Sequence, residues 1–158
     1  MNNSEFIIFL DIDGVICSYD ENIYNKSTID RFDIDDEHFF KQEAIDALNT
    51  IIDYYKADLC MISSWNGKFK DEEHYKEFLV RRGIHVNNLF IEKHYDRAIN
   101  ILKLIKEHDL KHYLIIDDEA YQYYEKMEEL QYLRILKPDR NRCLDKYDAK
   151  FVTINIIL

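Results

Sequence analysis

The chain has 158 residues and a formal charge of -10, with 47% hydrophobic and 14% aromatic residues. It is too apolar for a disordered chain, long enough to bury one core, and without an apolar run near the roughly 18 to 20 residues of a membrane span. The acidic balance argues against a general polyanion-binding surface while leaving room for a local basic patch.

The first predicted element is Phe6–Leu10, five apolar residues that read as a buried strand and run directly into Asp11-Ile12-Asp13-Gly14-Val15. Alternation places Asp11 and Asp13 on the same side as the chain leaves the sheet. Close carboxylates repel, so they persist where a cation or a proton transfer uses them. Residues 16–41 are polar, acid-rich and aromatic without a clean period, and are expected to form a loop or flap. In Gln42–Tyr55, Ala44, Ile45, Leu48, Ile51, Ile52 and Tyr55 recur at three- and four-residue spacing, the stripe of an amphipathic helix. A short apolar strand over 58–62 follows, ending in Ser63-Ser64-Trp65. Then come a helix over about 71–82 closed by Gly83 and a short strand near 89–91.

Asp96 is placed to cap a helix over 97–108, for which Ile99, Leu102 and Ile105 form the expected buried stripe. A strand over 113–116 runs into Asp117-Asp118-Glu119, followed by a helix over about 120–130 and a last strand over 133–137. The tail is ambiguous: its β-branched residues suggest a strand, whereas Tyr147, Phe151, Ile154 and Leu158 fit one helical face.

Strands alternating with helices predict an α/β fold, a parallel sheet with helices on both faces, in a single domain spanning 1–158. Ligands in such sheets bind at the carboxyl ends of the strands. The residues there are Asp11 and Asp13, Ser63 and Ser64, and Asp117 and Asp118, which should converge on one edge. Asp11 is placed to attack phosphorus, and Asp13 to protonate the leaving oxygen and then deprotonate water. Four acids on one edge call for a divalent cation, and all-oxygen ligation suits Mg²⁺. Ser63 would hydrogen-bond a phosphate oxygen, with Ser64 beside it as a further phosphate-binding candidate, while Arg97 or Lys93 would supply a balancing cation.

This constellation resembles the haloacid dehalogenase-like (HAD) phosphohydrolase superfamily, whose four motifs lie in this order along a Rossmann-like domain. The first matches Phe6 to Val15 in full, the second matches Leu59 to Ser63 with Ser64-Trp65 beyond, and the fourth matches Tyr113 to Asp118. The third, a Lys or Arg ahead of a helix, is met by Arg97 with Lys93 as the second choice. The resemblance implies Asp11 as nucleophile and Asp13 as general acid/base. It also implies Mg²⁺ held by Asp11, the Asp13 carbonyl and Asp117, with Asp118 contacting it through water. It tips the tail towards helix, and it shows one departure, Cys143 where relatives commonly carry Gly.

The resemblance therefore implies a Mg²⁺-dependent phosphatase that hydrolyses a phosphate monoester through an aspartyl-phosphate at Asp11. The alternative is a catalytically weak HAD-like phosphate-binding or regulatory module. Neither 16–41 nor 65–93 leaves room for a full cap, and capless relatives commonly act on protein, nucleic-acid or other large phosphorylated substrates. Lys68, Lys70, Lys137, Arg140 and Arg142 are expected to form a positive rim for such a substrate. Trp65 is expected to pack rather than stack on substrate, and Tyr121, Tyr123 and Tyr124 to serve packing. The start MNNSE lacks the pattern of a signal peptide and three cysteines cannot pair completely, which predicts a cytoplasmic setting and no membrane partner.

Overall fold

A computed structural model of the protein describes residues 6–18, 40–92, 96–120, 123 and 134–156. Its centre is a five-stranded parallel sheet of β1 (Phe6–Leu10), β2 (Asp58–Met61), β3 (Leu89–Ile91), β4 (His112–Ile116) and β5 (Ile135–Leu136), in the order β3-β2-β1-β4-β5. Four described α-helices accompany it: α1 (Gln42–Tyr55), α2 (Glu72–Arg81), α3 (Arg97–Glu107) and α4 (Lys146–Asn155). A 3₁₀ helix, Ser64–Lys68, follows β2. No helix among the described residues is long and apolar enough to cross a membrane.

All five residues of β1 are buried because the sheet is covered on both faces. Phe6, Ile8 and Leu10 enter one core with Leu48 and Ile51 of α1 and Val152 of α4. Ile7 and Phe9 enter the other with Ala98 and Ile101 of α3 and with Tyr123. Local signals set the helix starts: Asp71 accepts from the His74 N–H at 2.9 Å and Asp96 from the Ile99 N–H at 3.3 Å.

The tail is helical. Asp145 accepts from the Tyr147 and Asp148 N–H groups at 2.8 and 3.0 Å, and Asp148 in return accepts from the Asp145 N–H at 3.1 Å, a reciprocal capping box. At the other end the Tyr55 hydroxyl lies 3.0 Å from the Val152 carbonyl and 2.7 Å from the Ile156 carbonyl. The Val152 carbonyl also accepts from the Ile156 N–H at 2.9 Å, so the phenol adds a second partner there and serves the Ile156 carbonyl beyond the last turn.

Two expected helix faces are corrected. Tyr147, Phe151 and Ile154 are exposed, and α4 instead buries Ala149 and Val152, small residues that let it lie close against α1. In α3, Ile99 is 59% exposed. The buried stripe starts one residue earlier, with Ala98 and Ile101 inside and Leu102 and Ile105 packed against them. That rotation is the one that turns Arg97 towards the strand ends. Most of the expected helix over 120–130 and most of the loop over 16–41 lie outside the described residues, as does Leu158.

Candidate active site

The strand ends are drawn together by the backbone before any side chain acts. The Asp11 N–H donates to the Ile116 carbonyl at 3.0 Å, the Ile62 N–H to the Leu10 carbonyl at 3.0 Å, and the Asp117 N–H to the Leu136 carbonyl at 3.2 Å. Asp11, Asp13, Ser63, Asp117 and Asp118 all lie at this edge and all are buried.

Asp11 and Asp117 share one cation. Arg97, at the first turn of α3, places Nη1 3.1 Å from Asp11 Oδ2 and 3.1 Å from Asp117 Oδ2. The Ile12 N–H donates to Asp11 Oδ1 at 2.8 Å. Burial pushes the Asp11 carboxyl up to about 7, with the Arg97 guanidinium pulling it down and the Asp117 charge adding to the rise. Arg97 is itself pushed down by burial, but the two carboxylates overcome this and hold it above its ordinary value. Asp117 is further held by the Glu119 N–H on Oδ1 at 2.9 Å and by the Tyr123 hydroxyl on Oδ2 at 2.6 Å.

Asp118 faces the loop that follows β1. Gly14 has φ +73°, and a Cβ there would stand 2.5 Å from Asp118 Cγ. Glycine is required twice over, by the left-handed backbone and by the carboxylate against it. Gly14 donates its N–H to the Cys17 carbonyl at 2.7 Å, and the Ile12 carbonyl accepts from Val15, Ile16 and Cys17. This tight loop carries Asp13. Arg140 donates through Nε and Nη2 to Asp118 Oδ2 at 3.1 and 2.8 Å. Burial raises the Asp118 carboxyl, against the pull of Arg140.

Ser63 caps the 3₁₀ helix, its hydroxyl oxygen accepting from the Trp65 N–H at 3.2 Å. Ser64 begins that helix and is exposed. Asn66 holds the segment in place, donating from Nδ2 to the Met61 carbonyl at 2.7 Å and the Glu92 carbonyl at 2.8 Å. One amide thereby clamps the ends of β2 and β3. Trp65 packs, at 2% exposure, edge-on to Phe40 and tilted against Phe78. Lys93, the second choice for the motif-three cation, lies outside the described residues.

Two members of the expected positive rim, Arg140 and Arg142, are drawn into ion pairs within the chain, while Lys68, Lys70 and Lys137 are exposed. Arg142 is bound to Asp145 and Asp148 at the start of α4, and Arg140 to Asp118 and Glu119. Both guanidinium groups face acids of the chain itself. The three cysteines are free and buried, and burial pushes Cys60 up to about 12 and Cys143 up to about 11, which leaves them as thiols. Cys143 has φ +65°, a left-handed backbone that glycine adopts at less cost.

Among the described residues, Asp11, Asp117 and Asp118 form a group whose ligand oxygens lie within 4.8 Å of one another. The donor set is all oxygen and all buried. Three carboxylates against the shared Arg97 and the half-exposed Arg140 leave negative charge that a hard divalent cation would offset. The residues fit such an ion.

Sequence reasoning missed Tyr123 as a donor to Asp117, Arg140 as the partner of Asp118, and Asn66 as a clamp. Tyr123 lies six residues beyond Asp117, a spacing equally compatible with packing. Only the Asn in Ser-Ser-Trp-Asn carried a local signal, an amide just past a strand end.

A family model described as the HAD domain in Swiss Army Knife RNA repair proteins matches residues 7–149. No curated protein and no solved structure matches the chain.

Proposed function

The chain belongs to this family of HAD domains found in Swiss Army Knife RNA repair proteins, and from that membership we propose that it is a Mg²⁺-dependent phosphatase acting on a phosphate monoester at an RNA end. The observation that carries the reading is the buried convergence of Asp11, Asp117 and Asp118 at the strand ends, with Arg97 bridging Asp11 and Asp117. The family description supplies the RNA end.

In this reading Asp11 attacks phosphorus through a carboxylate oxygen as the ester P–O bond breaks. Asp13 gives its proton to the departing oxygen. It then takes a proton from water, whose oxygen attacks the phosphorus; the bond from phosphorus to Asp11 breaks and orthophosphate leaves. Arg97 favours the Asp11 anion, partly offsetting the burial that favours the neutral acid, and Ser63 donates to a phosphoryl oxygen. Asp11, the Asp13 carbonyl, Asp117 and Asp118 would hold Mg²⁺. When bound, the ion offsets carboxylate charge and polarises the phosphoryl group.

Phosphate release from RNA oligonucleotides bearing a 5′- or a 3′-phosphate, from a phosphopeptide and from a small aryl phosphate, with Mg²⁺ or with excess chelator, tests the proposal. Release from an RNA end that requires Mg²⁺ is expected. Preference for the phosphopeptide or the aryl phosphate would refute the RNA assignment. Binding without turnover of any substrate would leave a phosphate-binding module in place of an enzyme.

A further inference from the structure

Tyr75 is the residue that the proposed chemistry leaves unused. It lies in the first turns of α2, is 0% exposed, and is among the largest fully buried side chains of the protein. Its ring stacks on Phe69 with centroids 4.0 Å apart and planes inclined by 14°. That clamp leaves the hydroxyl little freedom except rotation about its C–O bond.

The hydroxyl is enclosed, yet among the described residues it makes no well-formed hydrogen bond. Its surroundings are those of the site: Ser63 lies within its reach, and the charges of Asp11, Asp13 and Arg97 act on it. Buried hydroxyls are nearly always paired, so an orphan aimed at a reaction centre points to a partner arrangement completed by ligand.

Ser63 identifies that arrangement. A serine hydroxyl has one proton to give and two acceptor sites. One acceptor site is filled by the Trp65 N–H at 3.2 Å. Ser63 also interacts with Asp11, beside which a transferred phosphoryl group would sit. We propose that Tyr75 is a positioning residue whose hydroxyl donates to Ser63 Oγ when phosphate is bound, filling its second acceptor site so that the Ser63 proton is directed to a phosphate oxygen. This rests on the assignment of Ser63 to phosphate binding made above. The two hydroxyls already interact in the empty protein but without a well-formed bond, so closing that bond on phosphate strengthens binding more than it stabilises the empty protein.

Titration of the full chain with orthovanadate in the presence of Mg²⁺, followed by calorimetry, tests this directly. Tyr75→Phe keeps the stacked ring and is expected to weaken orthovanadate binding about three- to tenfold, as for loss of one hydrogen bond. Its melting temperature without ligand should equal or exceed that of the wild type. In the Ser63→Ala protein, Tyr75→Phe should have no further effect, whereas in the Ser63→Thr protein, which keeps a hydroxyl, the full effect should return. Equal binding by Tyr75→Phe and wild type, an undiminished effect in the Ser63→Ala background, or a lowered melting temperature would each overturn the inference. Failure of the wild type itself to bind orthovanadate is a different result: it would remove the phosphate site, and this inference with it.

Discussion

Replacing Asp11 by Asn is expected to abolish turnover and, in metal-free protein, to raise stability. Asp11 is 3% exposed, and its carboxyl is lifted from 3.8 to about 7, chiefly by burial. The folded protein therefore holds this proton more tightly than the unfolded chain does. The carboxyl costs nothing below about pH 4, its penalty grows as pH rises from about 4 to about 7, and it is complete above that window. A rise of about three units at about 1.4 kcal/mol each bounds the penalty near 4 kcal/mol. Asparagine does not recover all of it. The contact with Arg97 at 3.1 Å loses its charge, although Arg97 keeps Asp117 and the amide oxygen still accepts from the Ile12 N–H. A gain of about 1–3 kcal/mol at pH 8 follows, or a few degrees in Tm for a chain of this size. The gain should shrink steadily towards pH 4, where protonated Asp11 and its amide replacement are nearly equivalent. Urea unfolding of both proteins in excess chelator at pH 8, 6 and 4.5 measures it, and Mg²⁺ should narrow the difference by stabilising the wild type. A variant no more stable than wild type at pH 8, or a gain independent of pH, would refute the reasoning.

Gly14→Ala should lower stability by at least about 1–2 kcal/mol for the left-handed backbone alone. It should also raise the Mg²⁺ concentration needed for activity, because the new methyl displaces Asp118; unfolding and a Mg²⁺ titration check the two effects. Arg97→Ala strands two buried carboxylates and should cost about 3–5 kcal/mol at pH 8. The cost should be smaller at pH 5, where Asp11 takes up a proton, and paired denaturant melts at the two values measure the difference. Cys143→Gly relieves a φ of +65° but loses a buried side chain. These effects oppose each other, so stability should change by less than about 1 kcal/mol in thermal melts.

The strand–helix alternation, the helix cap at Asp96, and the arrival of Asp11, Ser63 and Asp117 at strand ends were all legible in the sequence. Each depends on residues close together in the chain, where apolar period, capping oxygens and turn glycines act locally. A resemblance read from four short motifs added their order and the helical tail. The tertiary structure decided the rest. It chose Ala149 and Val152 over Tyr147, Phe151 and Ile154 as the buried face of α4, because both faces are apolar and only close approach to α1 separates them. It turned Ile99 outward and Arg97 inward, towards Asp11 at the end of β1. It also brought the Tyr123 hydroxyl to Asp117 and Arg140 to Asp118. A local pattern cannot encode such pairings, because the partners become neighbours only when the sheet has aligned its strand ends and burial has made each unpaired charge or hydroxyl costly.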